Sequence, residues 1–267
     1  MRFGCCVNMI AKGEDGTGVE HVERLAEYGY DYVEMPLAEM MALPENKFAQ
    51  LAEKIQKAGI PCETCNNFFP KTIRLTGTEA DEEKNLLYVE KALEKASSLG
   101  VQSVVFGSGG AKNVPSGFSM EEGYGQVVSL LRKIEPIAKK NHITIVIEPL
   151  RRAECNLINT FAEGCKLAQD VGSDYENVKV LVDFYHLSEE KEPVENLLLQ
   201  GKEYLRHVHF ARSQGRVYPK DMNEDNYRPF IDALKKIGYD ARVSVEAYAD
   251  DFDRQARGAL QFLRENF

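Results

Sequence analysis

The stretch Ile237–Tyr248, "IGYDARVSVEAY", carries the pattern that decides the fold. A glycine closes an apolar-periodic helical run, a short loop follows, and Val243 and Val245 then alternate with Ser244 and Glu246. Glycine stops a helix because it enters left-handed backbone without a Cβ clash, and the alternation that follows is that of a strand. The same helix, glycine and strand sequence recurs in "YGYDYVEM" (28–35), "AGIPCET" (58–64) and "LGVQSVVF" (99–106).

Short apolar or β-branched runs predict strands at Phe3–Val7, Tyr32–Met35, Pro61–Cys65, Ser103–Phe106, Ile143–Ile147, Val178–Val182, Leu205–His209 and Arg242–Val245. Helical patterns such as "NKFAQLAEKIQKAG" and "EKNLLYVEKALEKASSLG" separate them. Eight such units in 267 residues predict an α/β fold, a single (β/α)8 TIM barrel domain spanning 1–267. No linker or low-complexity run divides the chain. A doubly wound open sheet is the competing architecture, but the first turn, "NMIAKGEDGTG", lacks the GxGxxG fingerprint.

The chain is 43% apolar with a net charge of -9 and a pI near 5.2, so it has the means for a large core and repels polyanions. Nucleic acid is disfavoured as a partner. The N-terminus has too short an apolar run for a signal peptide, and no stretch approaches the roughly 18 apolar residues of a membrane span. A cytoplasmic protein with no membrane partner is expected. Cys5, Cys6, Cys62, Cys65, Cys155 and Cys165 then read as reduced, mostly buried thiols. The "CETC" pair falls in a strand rather than at a helix start, which argues against a redox or zinc role.

Catalytic groups of a barrel sit at the C-terminal ends of its strands, on the side chains whose phase points inward. In "ITIVIEPL" that phase carries Val146 and Glu148, and in "VKVLVDFYH" it carries Leu181 and Asp183. "LRHVHF" turns in His207 and His209, and "ARVSVEAY" turns in Ser244 and Glu246. An acidic residue at one strand end is more often a cap or a surface ion pair. Four successive strands ending in Glu148, Asp183, His209 and Glu246 point instead to one centre. Three carboxylates around one imidazole repel each other unless a cation joins them, and this donor set suits a divalent metal ion: Mn2+, Mg2+, Co2+ or Zn2+. His207 lies one layer deeper and reads as a core histidine, while His21 and His142 read as structural or solvated.

A divalent ion chelated by a carbonyl and its neighbouring hydroxyl acidifies the carbon-bound proton between them. One of the two glutamates would remove that proton and the other would return one. This is aldose-ketose isomerase or epimerase chemistry on a small carbohydrate, with no redox cofactor.

The set "IEPLRRAE", "VDFYH", "HVHF" and "SVEAY", with "VVFGSGG" before it, resembles the xylose-isomerase-like TIM barrels, the sugar phosphate isomerase/epimerase superfamily. Within it the likeness is closest to ketose 3-epimerases of the D-tagatose and D-psicose 3-epimerase type. The resemblance covers nearly the whole chain and is most specific from residue 143 onward. It implies metal ligands at Glu148, Asp183, His209 and Glu246, with Mn2+ or Co2+ the usual ion and Mn2+ expected here. It also makes Glu148 and Glu246 the acid/base pair, and Glu154, His186 and Arg216 substrate-binding residues. Arg212 competes with Arg216, because the spacing in "HFARSQGR" is one residue longer than the family pattern. Homodimers or homotetramers are common in the family. The chain departs from it in having no tryptophan, so Phe68, Phe69 or Tyr248 would supply the aromatic surface, and Ser108, Gly109 and Gly110 stand where bulk is usual.

C3 epimerisation of a ketose through a cis-enediolate is the function expected. A hydroxypyruvate-isomerase-like or inosose-processing enzyme and a non-catalytic sugar-binding barrel are the alternatives. An endonuclease IV-like enzyme on the same barrel would need a richer histidine set than the five present in this acidic chain.

Overall fold

A computed structural model describes residues 1–267. The eight strands are β1 (Arg2–Cys6), β2 (Tyr32–Pro36), β3 (Cys62–Asn66), β4 (Ser103–Phe106), β5 (Thr144–Ile147), β6 (Val178–Asp183), β7 (Leu205–Phe210) and β8 (Arg242–Val245). They pair in parallel in sequence order, and β8 returns to β1, so the sheet closes into a barrel with helices between successive strands. The expected (β/α)8 fold is the one observed, with every strand limit within one residue of that read from the chain.

Local chemistry sets where the outer helices begin and end. Asp81, Ser119 and Thr160 each accept a hydrogen bond from the backbone N–H three residues on, and Thr160 and Glu163 form a reciprocal capping box. Gly29, Gly59, Gly100 and Gly238, the four glycines of the repeated pattern, all have φ between 69° and 89° just past a helix.

The apolar core is divided unequally. A cluster of 71 buried residues, including Val33, Ile145, Val182, Val208 and Val243, takes in the outward phase of the strands and the helix faces packed on it. Only Val105, Val146 and Leu181 form a separate apolar cluster, from the inward phase of β4, β5 and β6. The rest of the barrel interior is polar: Tyr32, Glu34, Thr64, His207, His209 and Ser244 are each fully buried. Gly4 makes room for one of them, since a Cβ there would lie 2.3 Å from the Tyr32 ring. At the starts of the strands Glu63 accepts from Arg242 Nε at 2.5 Å and from Arg2 Nε at 3.2 Å, closing that end of the barrel with an ionic knot. No helix is long and apolar enough to cross a membrane.

Candidate active site

The four residues expected at the strand ends meet at one point. Glu148 and Glu246 are the first residues beyond β5 and β8, and each backbone N–H continues the ladder, to Phe106 and Phe210 oxygens at 3.2 Å. Asp183 closes β6, and His209 lies one residue before the end of β7. All four are buried, and one ligand atom from each lies within 4.8 Å of every other. His209 Nδ1 is 3.0 Å from Glu148 Oε1 and 2.9 Å from Glu246 Oε2. Gly107 opens the space for this arrangement, because a Cβ on it would stand 2.2 Å from Glu148 Oε2.

Arg216 reaches the same cluster from the loop after β7. Its Nη2 donates to Asp183 Oδ2 at 3.0 Å and to Glu246 Oε2 at 2.5 Å, and its backbone carries a φ of 48°, a conformation rare for a residue with a Cβ. Arg212 turns elsewhere: its Nη2 donates to Gln214 at 2.8 Å, and its N–H pairs with the Val217 oxygen in a small antiparallel bridge. Of the two arginines, Arg216 is therefore the one at the cluster.

His186 is buried with its Nδ1 accepting from the Arg151 N–H at 3.3 Å. The proton therefore sits on Nε2, which has no hydrogen-bond partner, and the nearest carboxylate oxygen, on Asp183, is 3.5 Å away. Glu154 is half-exposed and paired with Arg151 at 2.7 Å. Both residues line a cavity of about 520 Å3 above the cluster, together with Asn8, Glu39, Phe69 and Lys71. Of the three alternatives for its aromatic surface, Phe69 is the one that lines it, with its N–H bonded to Ser108 Oγ at 2.9 Å. Phe68 is buried away from the cavity and Tyr248 is 56% exposed. Ser108, Gly109 and Gly110 form part of the wall.

Burial and mutual charge shift the cluster in opposite directions. Burial pushes the Asp183 carboxyl up to about 6, against the pull of Arg216 and with the push of Glu246. Burial also raises Glu148, although His209 opposes it. Glu246 is buried too, but His209 and Arg216 overcome that cost and hold it below the usual carboxylate range. His209 is held well above the ordinary imidazole value: burial opposes its charge, and Glu246 and Glu34 outweigh it. A site that raises two of its own carboxyls has too little positive charge for the oxygens it gathers. Three hard carboxylates and one imidazole nitrogen on one centre fit a divalent ion, which would supply that charge.

Several partners of the cluster escaped the strand-end criterion. Asn66 Nδ2 donates to Glu246 Oε1 at 3.3 Å and to Asn8 Oδ1 at 2.9 Å. The fully buried Lys112 donates from Nζ to the Glu148 backbone oxygen at 3.1 Å. Glu34, from β2, touches both His207 and His209. The inward phase of "DYVEMP" was the signal for Glu34, whereas Asn66 and Lys112 bear no charge pattern that marks them. The six cysteines are free and buried, with Cys62 and Cys65 inside β3 as expected. Burial pushes the Cys5 thiol up to about 12.

A family model described as the xylose isomerase-like TIM barrel matches residues 22–266. The chain belongs to that family. Among curated proteins, D-psicose 3-epimerase of Agrobacterium fabrum is 26% identical over 271 residues, covering 91% of each chain. The 3-dehydro-D-guloside 4-epimerase of Escherichia coli K12 is 24% identical over 261 residues, covering 92% of this chain and 94% of that one. The crystal structure of D-psicose 3-epimerase with D-tagatose from Clostridium cellulolyticum H10 superposes with a TM-score of 0.84 at 21% identity. It covers 100% of this chain and 99% of that one.

Proposed function

We propose that this protein is a divalent-metal-dependent sugar epimerase that inverts a carbon next to a ketose carbonyl, at C3, by proton transfer between two glutamates. The observation that carries this reading is the pairing of Glu148 and Glu246. They come from β5 and β8, approach the same imidazole nitrogen at 3.0 and 2.9 Å, and are displaced in opposite directions as acids. Two carboxyls tuned apart at one centre are what an acid and a base need in order to work at the same pH.

A divalent ion, Mn2+ by preference, held by Glu148, Asp183, His209 and Glu246 would polarise the substrate carbonyl and its neighbouring hydroxyl and stabilise the negative charge of the enediolate. Glu246, kept ionised by His209 and Arg216, takes the carbon-bound proton, and Glu148 delivers one to the other face. In the reverse direction the two exchange roles. His186, whose Nε2–H has no partner, and Glu154 line the cavity, where sugar hydroxyls would engage them. Phe69 offers an apolar face to the sugar carbons.

The names of the relatives support carbohydrate epimerisation, and the guloside 4-epimerase, with nearly the same identity and coverage, favours a second reading in which the inverted carbon flanks the carbonyl of a 3-dehydro sugar. Proton NMR in D2O with Mn2+- or Mg2+-treated protein separates the two. Free ketoses should take up deuterium at C3, while a 3-dehydro glycoside exchanging at C4 would select the second reading. No exchange on any ketose, phosphorylated ketose, hydroxypyruvate, inosose or 3-dehydro glycoside would refute enediolate chemistry.

A further inference from the structure

Beneath the four-residue cluster the barrel interior holds a carboxylate that no strand-end pattern accounts for. Glu34 is fully buried, and its two oxygens meet four donors. Oε2 lies 2.8 Å from His207 Nε2, 2.8 Å from Thr64 Oγ1 and 2.6 Å from Ser244 Oγ, and Oε1 lies 2.9 Å from His209 Nε2. Ser244 Oγ in turn is 2.8 Å from the Tyr32 hydroxyl, which donates to it because the serine proton is given to Glu34. A carboxylate so surrounded is ionised and only accepts.

That fixes the proton on His209. Its Nε2 faces Glu34 and must carry the hydrogen, so when the ring is neutral the lone pair lies on Nδ1, the nitrogen that faces Glu148 and Glu246. Cys6 does not compete for Nε2: its sulfur is 3.8 Å away, and burial keeps its thiol protonated. His207, held by the other Glu34 oxygen, packs edge-on against His209 with ring centroids 5.0 Å apart and limits its tilt.

We infer that Glu34 is the positioning residue of the metal centre: its Oε1 takes the Nε2–H of His209 and so presents Nδ1 as the ligating nitrogen. A carboxylate behind a ligating imidazole fixes its tautomer and raises its basicity, and loss of such a partner costs about 10- to 100-fold in metal affinity. The inference rests on the metal reading of the four strand-end residues.

The test uses full-length protein with 15N-labelled histidine and Zn2+, a diamagnetic probe. In the parent, His209 should show a metal-bound Nδ1 and a protonated Nε2. In Glu34→Gln the amide is free to turn its NH2 toward Nε2, and Zn2+ affinity measured by calorimetry should fall about 10- to 100-fold with loss of the Nε2–H signature. Glu63→Gln, at the opposite end of the barrel, should lower thermal stability while leaving Zn2+ affinity and the His209 spectrum intact, which separates positioning from general loosening. Equal affinity in the parent and Glu34→Gln would overturn the inference, and so would a parent spectrum with Nε2 as the ligand even if Glu34→Gln fails to fold. Failure of the parent to bind Zn2+ at all would instead refute the metal reading beneath it.

Discussion

Replacing Gly107 by alanine separates the needs of the fold from those of the site. Gly107 does not have a left-handed φ, so the backbone accepts a Cβ, and a Gly to Ala change at a compatible position stabilises a protein by about 0.4 to 1 kcal/mol through the unfolded chain. The new methyl, however, would stand 2.2 Å from Glu148 Oε2 and 3.3 Å from its Cδ. Ordinary contact begins near 3.4 Å, so the carboxylate must retreat by about 1 Å. It is the flexible end of a side chain and yields at little cost to stability. The retreat takes Glu148 off the line to His209 Nδ1, which it now meets at 3.0 Å. A 1 Å misplacement of a reacting group costs about 100-fold in rate, or about 2.7 kcal/mol of activation free energy. Gly107→Ala should therefore melt at or slightly above the parent temperature while kcat/KM for deuterium exchange falls about 100-fold. A folded variant with parental kcat/KM would refute the placement of Glu148 at the reacting carbon.

Glu246→Gln should keep the fold and much of the metal affinity but abolish exchange in D2O, since an amide still coordinates but takes no proton; retained turnover would remove Glu246 from the chemistry. His186→Ala should mainly raise KM, because the unpartnered Nε2–H is lost from the cavity wall, and an unchanged KM would count against its contact with substrate. Metal removal by a chelator should lower the melting temperature by about 5 to 10 °C. Saturation at 100 times Kd contributes about 2.7 kcal/mol, and each kcal/mol moves a chain of this size by about 2 to 4 °C. Arg216→Ala strips a counter-charge from two buried carboxylates, so the chelated protein should lose about 3 kcal/mol and the metal-loaded protein distinctly less. Equal losses with and without metal would show that the ion and Arg216 do not share the neutralisation of Asp183 and Glu246.

The barrel was legible because its signals are local and repeated: four glycines in left-handed backbone, each followed by an alternating strand. The meeting of Glu148, Asp183, His209 and Glu246 was legible for the same reason, since strand phase and strand end together determine a position in a barrel. His207 as a core histidine also followed from phase, and it is bonded to Glu34. What strand phase cannot supply is the identity of a neutral or loop-borne partner. Asn66 carries no charge to mark it, Lys112 arrives from the short helix Gly109–Lys112, and Arg216 depends on a bridge between Arg212 and Val217 that no periodicity announces. Which of Phe68, Phe69 and Tyr248 would face the cavity was not legible for a similar reason. Phe68 and Phe69 are adjacent, yet one faces the core and the other the cavity, and Tyr248 leaves both.

The unequal division of the core bears on how this barrel tolerates change. Its cohesion is vested in the 71-residue layer between strands and helices, while the interior of β2, β3, β7 and β8 is given over to hydrogen-bonded polar groups. Well-packed apolar replacements of buried ionic groups are often neutral or stabilising, so selection for heat resistance alone would be expected to fill the interior around Glu34 and His207 with aliphatic residues and dismantle the support beneath the four-residue cluster. Selection for a new sugar, by contrast, has ground in Glu39, Lys71 and the Ser108–Gly110 wall, which line the cavity and take no part in the Glu34 network.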